Sequence, residues 1–415
     1  MKSLYLRARP CAVALTVAVL ALPGTASALS LDEALRLAER EAPALTAQAA
    51  SLQAARSAAV PAGELPDPRL AFGLSNLPIE GEERWRLNEE SMTMQSIGLM
   101  QEVPNRAKRR ARIEVAEAAV AVAGMQELIT RQTVRQQTAQ AWIAALAVER
   151  KLDLFQQLYT ENDLFARAVQ ARIAGGIGNS ADSVQPRQEA ALLAEQEDQL
   201  QQERATARAA LRRWIGAAAS QPLSGDWPSW PYQASHYQGH LQQHPELQLF
   251  DPMAREAQAK VREALAEKRP DWAWGVEYQR RQAFGDMVSL NLSVDLPVFA
   301  ASRQNPKIAA ERARLSAIES EREATLRAHD AELEAELAEL QRLERAVERL
   351  DQTLVPLAEE RVRLALADYR GGRGELMSVV QAREALVQTR LRRIDLARDQ
   401  AQAHARLHFA FGETP

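Results

Sequence analysis

The 415-residue chain contains a single cysteine, Cys11, and it lies in a stretch expected to be removed. Without it there is no disulfide framework, thiol nucleophile or thiolate metal site, and the mature chain suits an oxidising compartment. Aromatic residues are scarce at 5% while alanine is abundant. That argues against one thick globular core and for long thin helices packed through small side chains. No apolar run reaches the ~20 residues that a membrane-crossing helix needs. Basic charge is not in excess: the formal net charge is −4, and it becomes −7 once Lys2, Arg7 and Arg9 leave with the leader. Nucleic acid, which needs a basic face, is not an expected partner. No Ser-His-Asp set or phosphate-cradling glycine loop occurs, so the chain is not read as an enzyme and no cofactor is expected.

What is present begins with a secretory leader over residues 1–28. Lys2, Arg7 and Arg9 precede an apolar segment at 12–22, and Ala26-Ser27-Ala28 is a small-residue cleavage site. No cysteine follows the cut, so no lipid anchor is expected.

Residues 31–59 read as a helix, with Asp32 and Glu33 in its first turn, ended by Pro61 and the Pro66-Asp67-Pro68 break. Leu70, Phe72 and Leu74 then alternate with Ala71, Gly73 and Ser75 as a strand. A second strand over 92–103 ends at Pro104, its alternation slipping near Ser96-Ile97. From 105 to 173 there is no proline and only Gly124 among glycines, which at 1.5 Å per residue makes one helix about 100 Å long. The turn Gly175-Gly176-Ile177-Gly178 and a return helix over 180–214 follow. A connector then carries Pro222, Pro228 and Pro231 with Trp227 and Trp230.

The order then repeats. A helix over 245–268 leads to a strand through Trp272, Trp274, Val276 and Tyr278, a turn at 282–286, and a strand through Val288, Leu290, Leu292, Val294 and Leu296. A long helix starts near 304, with Leu343, Leu350, Leu357 and Leu364 spaced by heptads as a coiled-coil seam. Pro356 is expected to bend it. A turn at 368–376 holds Gly371, Gly372 and Gly374, and a final helix runs over 375–411. Pro104 matches Pro297, Gly175-Gly176 matches Gly371-Gly372, and Trp214-Ile215-Gly216 matches Ala410-Phe411-Gly412. The chain is therefore two repeats, 29–216 and 241–412, joined by the connector at 217–240.

The strands have the length that spans an outer membrane when tilted. Four cannot close a barrel, and lipid tolerates no open edge, so several chains must share one. The fold class is mainly α with membrane β: duplicated long helical hairpins plus four strands. A soluble periplasmic coiled-coil scaffold or adaptor is the competing reading, but an adaptor needs a strand-rich domain between its arms, and no such cluster is visible.

Within this layout, Tyr369-Arg-Gly-Gly-Arg373, with Leu376 and Gln381-Ala382 after it and Leu354-Val-Pro-Leu-Ala-Glu359 before it, resembles the TolC-type outer-membrane efflux proteins. The resemblance covers essentially the whole mature chain. Leu65-Pro-Asp-Pro-Arg-Leu70 with Gly73 and Asn76, Met92-Thr-Met94, and Gln101-Glu-Val-Pro104 before Arg106, Lys108, Arg109, Arg110 and Arg112 is similar to the heavy-metal, CzcC-like branch. The resemblance implies a homotrimer with a shared 12-stranded β-barrel in outer-membrane lipid and a trimeric α-barrel crossing the periplasm. It also implies that the tips dock on a periplasmic adaptor, a membrane fusion protein, coupled to an RND-type inner-membrane pump. Such a chain is a passive exit duct, here for heavy-metal cations; the same build serves drugs or type I protein secretion.

The resemblance further implies a periplasmic gate in which Tyr369 and Arg373 bond to Asp182 of a neighbouring hairpin; the competing reading makes all three solvated turn residues. The family's acidic constriction falls on Ser378 and Gln381, both uncharged, leaving Glu375 and Gln185 as further constriction candidates. Weaker signals remain. His236, His240 and His244 recur at helical spacing, but Gly239 and Pro245 interrupt them, so no metal ligand is assigned. His404 and His408 are read as a packed or solvated pair. Met92, Met94 and Met100 could suit a soft ion, but read better as lipid-facing or packing residues.

Overall fold

The computed structural model describes residues 28–412 except 88, 177, 282 and 283, and at 236 the backbone alone. The leader expected over 1–28 lies outside the described residues but for its last one. The first helical stretch is two helices, α1 (Leu31–Glu41) and α2 (Pro43–Ala59), rather than one. Ser30 caps α1, its hydroxyl accepting the Glu33 N–H at 3.2 Å. Pro43 has no N–H to donate and holds Ala42 extended, so the helix stops and restarts.

Two strands from each half join in one antiparallel sheet, β1 (Arg69–Ser75), β2 (Met94–Val103), β3 (Trp272–Arg281) and β4 (Met287–Val294), in that order. The register is continuous, so side chains line up in rows. Phe72, Ile97, Tyr278 and Val288 form one row, and Leu70, Leu99, Val276 and Leu290 the next on the same face. All eight are exposed, Leu290 by 80% and Phe72 by 75%. The opposite face carries Ala71, Gly98, Glu277 and Ser289, then Gly73, Ser96, Gln279 and Met287. The slip near Ser96-Ile97 is therefore in residue type, not backbone: Gln95 sits on the apolar face. Among the described residues β1 and β4 each have one unpaired edge.

Beyond the sheet, α3 (Arg106–Ala174) runs unbroken for 69 residues, about 100 Å at 1.5 Å per residue. Asn105 caps it by accepting the Lys108 N–H at 2.9 Å. The same asparagine donates its N–H and side-chain amide to Asp271 at 2.7 and 2.8 Å, and Lys108 Nζ reaches that carboxylate at 2.7 Å. Burial works against the Asp271 charge, but these donors outweigh it and hold the carboxyl below its ordinary range. The two halves are thus tied where the sheet gives way to helices. A 3₁₀ turn at Ser180–Val184 leads into α4 (Gln185–Ile215), which returns along α3.

In the second half, α5 (Ala234–His240) and a 3₁₀ turn at Leu241–Gln243 precede α6 (Pro245–Ala266). The long helix is two, α7 (Gln304–Arg349) and α8 (Val355–Arg370), joined by a π-turn at Leu350–Leu354 where the Val355 N–H bonds the Leu350 carbonyl. Pro356 follows, and because it cannot supply the next ladder donor the helix widens there. The wide turn adds a residue, advancing everything after it by one ~100° step of the helix. Within the single chain the burial of the expected leucine seam ends there. Leu343 and Leu350 are 1% and 2% exposed, whereas Leu357 and Leu364 are 56% and 60% exposed. Finally, α9 (Leu376–Phe411) packs on α3, α7 and α8. No described helix is long and apolar enough to cross a membrane.

A large core gathers Trp142 and Ile143 of α3, Leu35 of α1, Ile215 of α4 and Phe409 of α9. A second joins Leu333, Leu337 and Leu340 of α7 to Leu407 and Phe411. Thinner clusters continue toward the tips, through Phe155, Leu158 and Leu193, then Phe165, Val169, Tyr369 and Val379. The tapering of the core agrees with the scarcity of aromatics.

Candidate functional site at the paired helix tips

Both hairpins reverse through a glycine in the left-handed region, Gly176 at φ 71° and Gly372 at φ 74°, a conformation that costs residues with a Cβ. Each follows a glycine that ends its helix, Gly175 or Gly371. Gly178 and Gly374 pack so close to the preceding turn that a Cβ would stand 3.0 and 3.1 Å from Ile173 and Asp368.

The tips lie side by side. Tyr369, in the last turn of α8, is 3% exposed among Phe165, Val169, Leu376 and Val379. The Arg172 guanidinium lies 4.0 Å over its ring, a cation–π contact. Burial, then the nearby Asp182 carboxylate, push the Tyr369 hydroxyl above its ordinary pKa, with Arg172 opposing. That hydroxyl, with Arg172 Nε and Nη1, has no hydrogen-bond partner among the described residues. Asp182 accepts the Asn179 N–H at 3.3 Å in a capping box. Arg373 points elsewhere: its side chain is 80% exposed and reaches Asp368 at 3.4 Å. One chain therefore brings Tyr369 and Asp182 together but not Arg373.

Ser378 and Gln381 are exposed on α9 and Glu375 is exposed at its N-cap, while Leu376, Val379 and Ala382 face inward. Gln185 opens α4 and is half-buried.

Sequence reasoning missed the polar ties behind this face. Arg383 of α9 meets Glu189 of α4 at 2.9 Å, with side chains only 9% and 17% exposed, and lies over the Phe165 ring. Arg390 spans Glu161 of α3 and Glu359 of α8 at 3.0 and 3.1 Å. Arg383 was discoverable, since it stands four residues after Val379 where the buried stripe of α9 calls for an apolar side chain. Arg172 carried no such mark.

The histidine line does not form. The helix through 236 and His240 gives way at Leu241 to a 3₁₀ turn, and His244 instead begins α6. His404 and His408 share α9 but pack separately, His404 against Tyr232 and His408 stacked on Trp230. Met94 and Met100 stand on the small and polar face of the sheet, paired with Ser75 and Arg281, and with Arg69 and Gly275. Both thus stand opposite the exposed apolar rows, which fits the packing alternative and not the lipid-facing one. They are about 20 Å apart along β2, while Met92 precedes the strand, so the three cannot share an ion.

The model of the outer membrane efflux protein family matches residues 34–217 and 237–413. Among curated proteins none matches by sequence. Solved structures are similar throughout. VceC of Vibrio cholerae, an outer membrane protein, is 18% identical with a TM-score of 0.76 over 92% of this chain and 96% of its own. CusC is 16% identical with a TM-score of 0.79, covering 92% of each chain. The open state of the MtrE outer membrane channel of Neisseria gonorrhoeae is 15% identical with a TM-score of 0.73 over 92% of this chain and 89% of its own. These likenesses carry the fold, and the family is one of channels rather than enzymes. With its hairpins, tips and four-stranded sheet all lying within the matched residues, the chain belongs to the outer membrane efflux protein family.

Proposed function

We propose that three copies of this chain build one outer-membrane channel, the passive exit duct of a tripartite efflux system. The observation carrying this reading is the sheet. It offers lipid two adjoining rows of exposed apolar side chains and has unpaired strand edges at β1 and β4 among the described residues, and in a bilayer those edges must be paired. Pairing β4 of one copy with β1 of the next closes twelve strands in three copies, and the hairpins then continue as a tube toward the adaptor and pump. The test is fractionation and the mass of the detergent-extracted particle: an outer-membrane trimer is expected, and a soluble periplasmic monomer overturns the reading.

The tips form the periplasmic gate in this reading. Arg373 is exposed and weakly held within its own chain, which suits a group that bonds across to Asp182 of the next chain when the tube is shut. Charged hydrogen bonds contribute roughly 1.5–3 kcal/mol each, and symmetry repeats them three times. Arg373→Ser and Asp182→Ala are expected to raise single-channel conductance in planar bilayers; unchanged conductance in both removes the latch.

The cargo is heavy-metal cations, supported by the motif resemblance of residues 65–112 to the metal-exporting branch. Drugs or secreted proteins are the alternative. Metal sensitivity of a deletion strain, measured beside its drug sensitivity, separates the two. With Ser378 and Gln381 uncharged, the tips close the channel without selecting strongly among cations.

A further inference from the structure

We infer that His244, Glu246 and His329 form a binding site for a divalent transition-metal ion of the zinc or copper(II) class. His244 caps the N-terminus of α6, Glu246 lies in its first turn, and His329 projects from α7. One donor atom from each lies within 4.8 Å of the others. Both histidines are 9% exposed, and their ring centroids are 4.1 Å apart. His329 Nε2 is 3.0 Å from the Glu246 carboxylate. The Phe411 ring walls the pair at 5.6 and 6.2 Å, against the core around Leu333 and Leu407.

The donor set selects the ion. Two imidazoles and one carboxylate, without thiolate, suit zinc, copper(II), nickel or cobalt; calcium and magnesium want oxygen alone, and copper(I) wants sulfur. A tetrahedral ion with bonds of about 2.1 Å needs donors ~3.4 Å apart, so the cluster must contract. Glu246, with half its side chain exposed, is free to swing, and its open side is the entry path. A water fills the fourth position.

The surroundings fit as well. Among the described residues His329 Nδ1 is buried without a hydrogen-bond partner, yet the Glu332 carboxylate stands 3.5 Å away. An ion on Nε2 places the proton on Nδ1, which then donates a hydrogen bond to Glu332 as in a carboxylate–histidine–metal arrangement. His244 Nδ1 accepts the Glu246 N–H at 3.2 Å in the ion-free chain, and binding exchanges that cap for a bond to the ion. A cap and an ion pair would explain the two histidines separately. They do not explain two buried imidazoles packed together beneath a carboxylate.

The site ties the start of α6 to α7 beside the last turn of α9, and it does not depend on which cargo the channel carries. The test uses purified, detergent-solubilised protein stripped with chelator and titrated with zinc chloride, then with cobalt(II) for its visible d–d band. One ion per chain is expected, with a rise in Tm. His244→Asn keeps a capping acceptor and Glu246→Gln keeps the shape; each is expected to weaken zinc at least tenfold and abolish the cobalt band. Glu332→Gln should weaken zinc about tenfold through orientation alone. Absence of binding at about 100 µM zinc, where a site tighter than that would raise Tm, overturns the inference. So does wild-type affinity in both His244→Asn and Glu246→Gln.

Discussion

The guanidinium of Arg172 lies 4.0 Å over the ring of Tyr369, so the end of α3 closes over the end of α8 and the two tips of one chain act as a unit. Tyr369→Phe keeps that ring and removes a hydroxyl with no hydrogen-bond partner among the described residues. Its stability is expected within about 0.5 kcal/mol of wild type, whereas Tyr369→Ala should lose about 3–5 kcal/mol as a large buried ring disappears. Denaturant unfolding of the purified protein checks both; a loss of several kcal/mol in Tyr369→Phe would show the hydroxyl to be bonded.

The Arg383–Glu189 pair is buried between α4 and α9. Glu189→Gln leaves the arginine charge without its counterion and should cost about 3–5 kcal/mol. The double replacement Arg383→Met with Glu189→Met should cost much less, because no lone charge stays buried. Comparing apparent Tm across single and double variants tests this, and equal losses would place the cost in packing instead.

The strand register separates neighbouring residues by face. Leu290→Arg puts a charge in the exposed apolar row and is expected to cost about 2–4 kcal/mol near the midplane, or to block insertion. Ser289→Arg, one residue away on the opposite face, should insert normally. Assembly into lipid vesicles, followed by protease protection, reads the difference, and a reversed result would mean the sheet is turned inside out.

Gly372 has open space where a Cβ would stand, yet it holds φ at 74°, so Gly372→Ala isolates the backbone contribution. About 1–2 kcal/mol should be lost, and Gly372→Asn should recover part of it, since asparagine tolerates this region. Thermal unfolding of both variants is the measurement; a neutral Gly372→Ala would mean the tip relaxes to another turn.

His404 is buried, and burial lowers its pKa from 6.5, with Glu344 and a bond to the Trp230 backbone partly opposing. The unfolded chain gains a proton near pH 6.5 that the folded chain refuses. Stability is thus unaffected well above that pH and is lost as pH falls below it. His404→Gln should flatten this acid-side loss in a pH series of unfolding curves, and an unchanged slope would assign it to other groups.

Much of the architecture was legible from residue pattern. Proline and glycine punctuation located the sheet, the tips and the long helices, because those residues act locally through missing donors and accessible φ. The strand alternation of β3 and β4 named the apolar face for the same reason. What failed or stayed open depended on distant or phase-sensitive facts. One proline at 43 split α1 from α2, a π-turn ended the burial of the leucine seam within the chain, and the register decided between the lipid-facing and packing readings of Met94 and Met100. At the tips, glycines and Tyr369 were visible, but Arg172 was not, since its partner arrives from α8, far along the chain. His329 was likewise invisible as a neighbour of His244, because only tertiary packing joins α6 to α7.

The wide turn at Leu350–Leu354 sets the azimuth of everything that follows it. A one-residue deletion there would scarcely change composition or length, yet it would swing α8 as a rigid spoke and carry Tyr369 out from under Arg172. The orientation of the tip is therefore written well upstream of it, in a spacer whose own side chains touch neither the ring nor the guanidinium. Variation in this spacer would retune how the tips meet while leaving every tip residue unchanged.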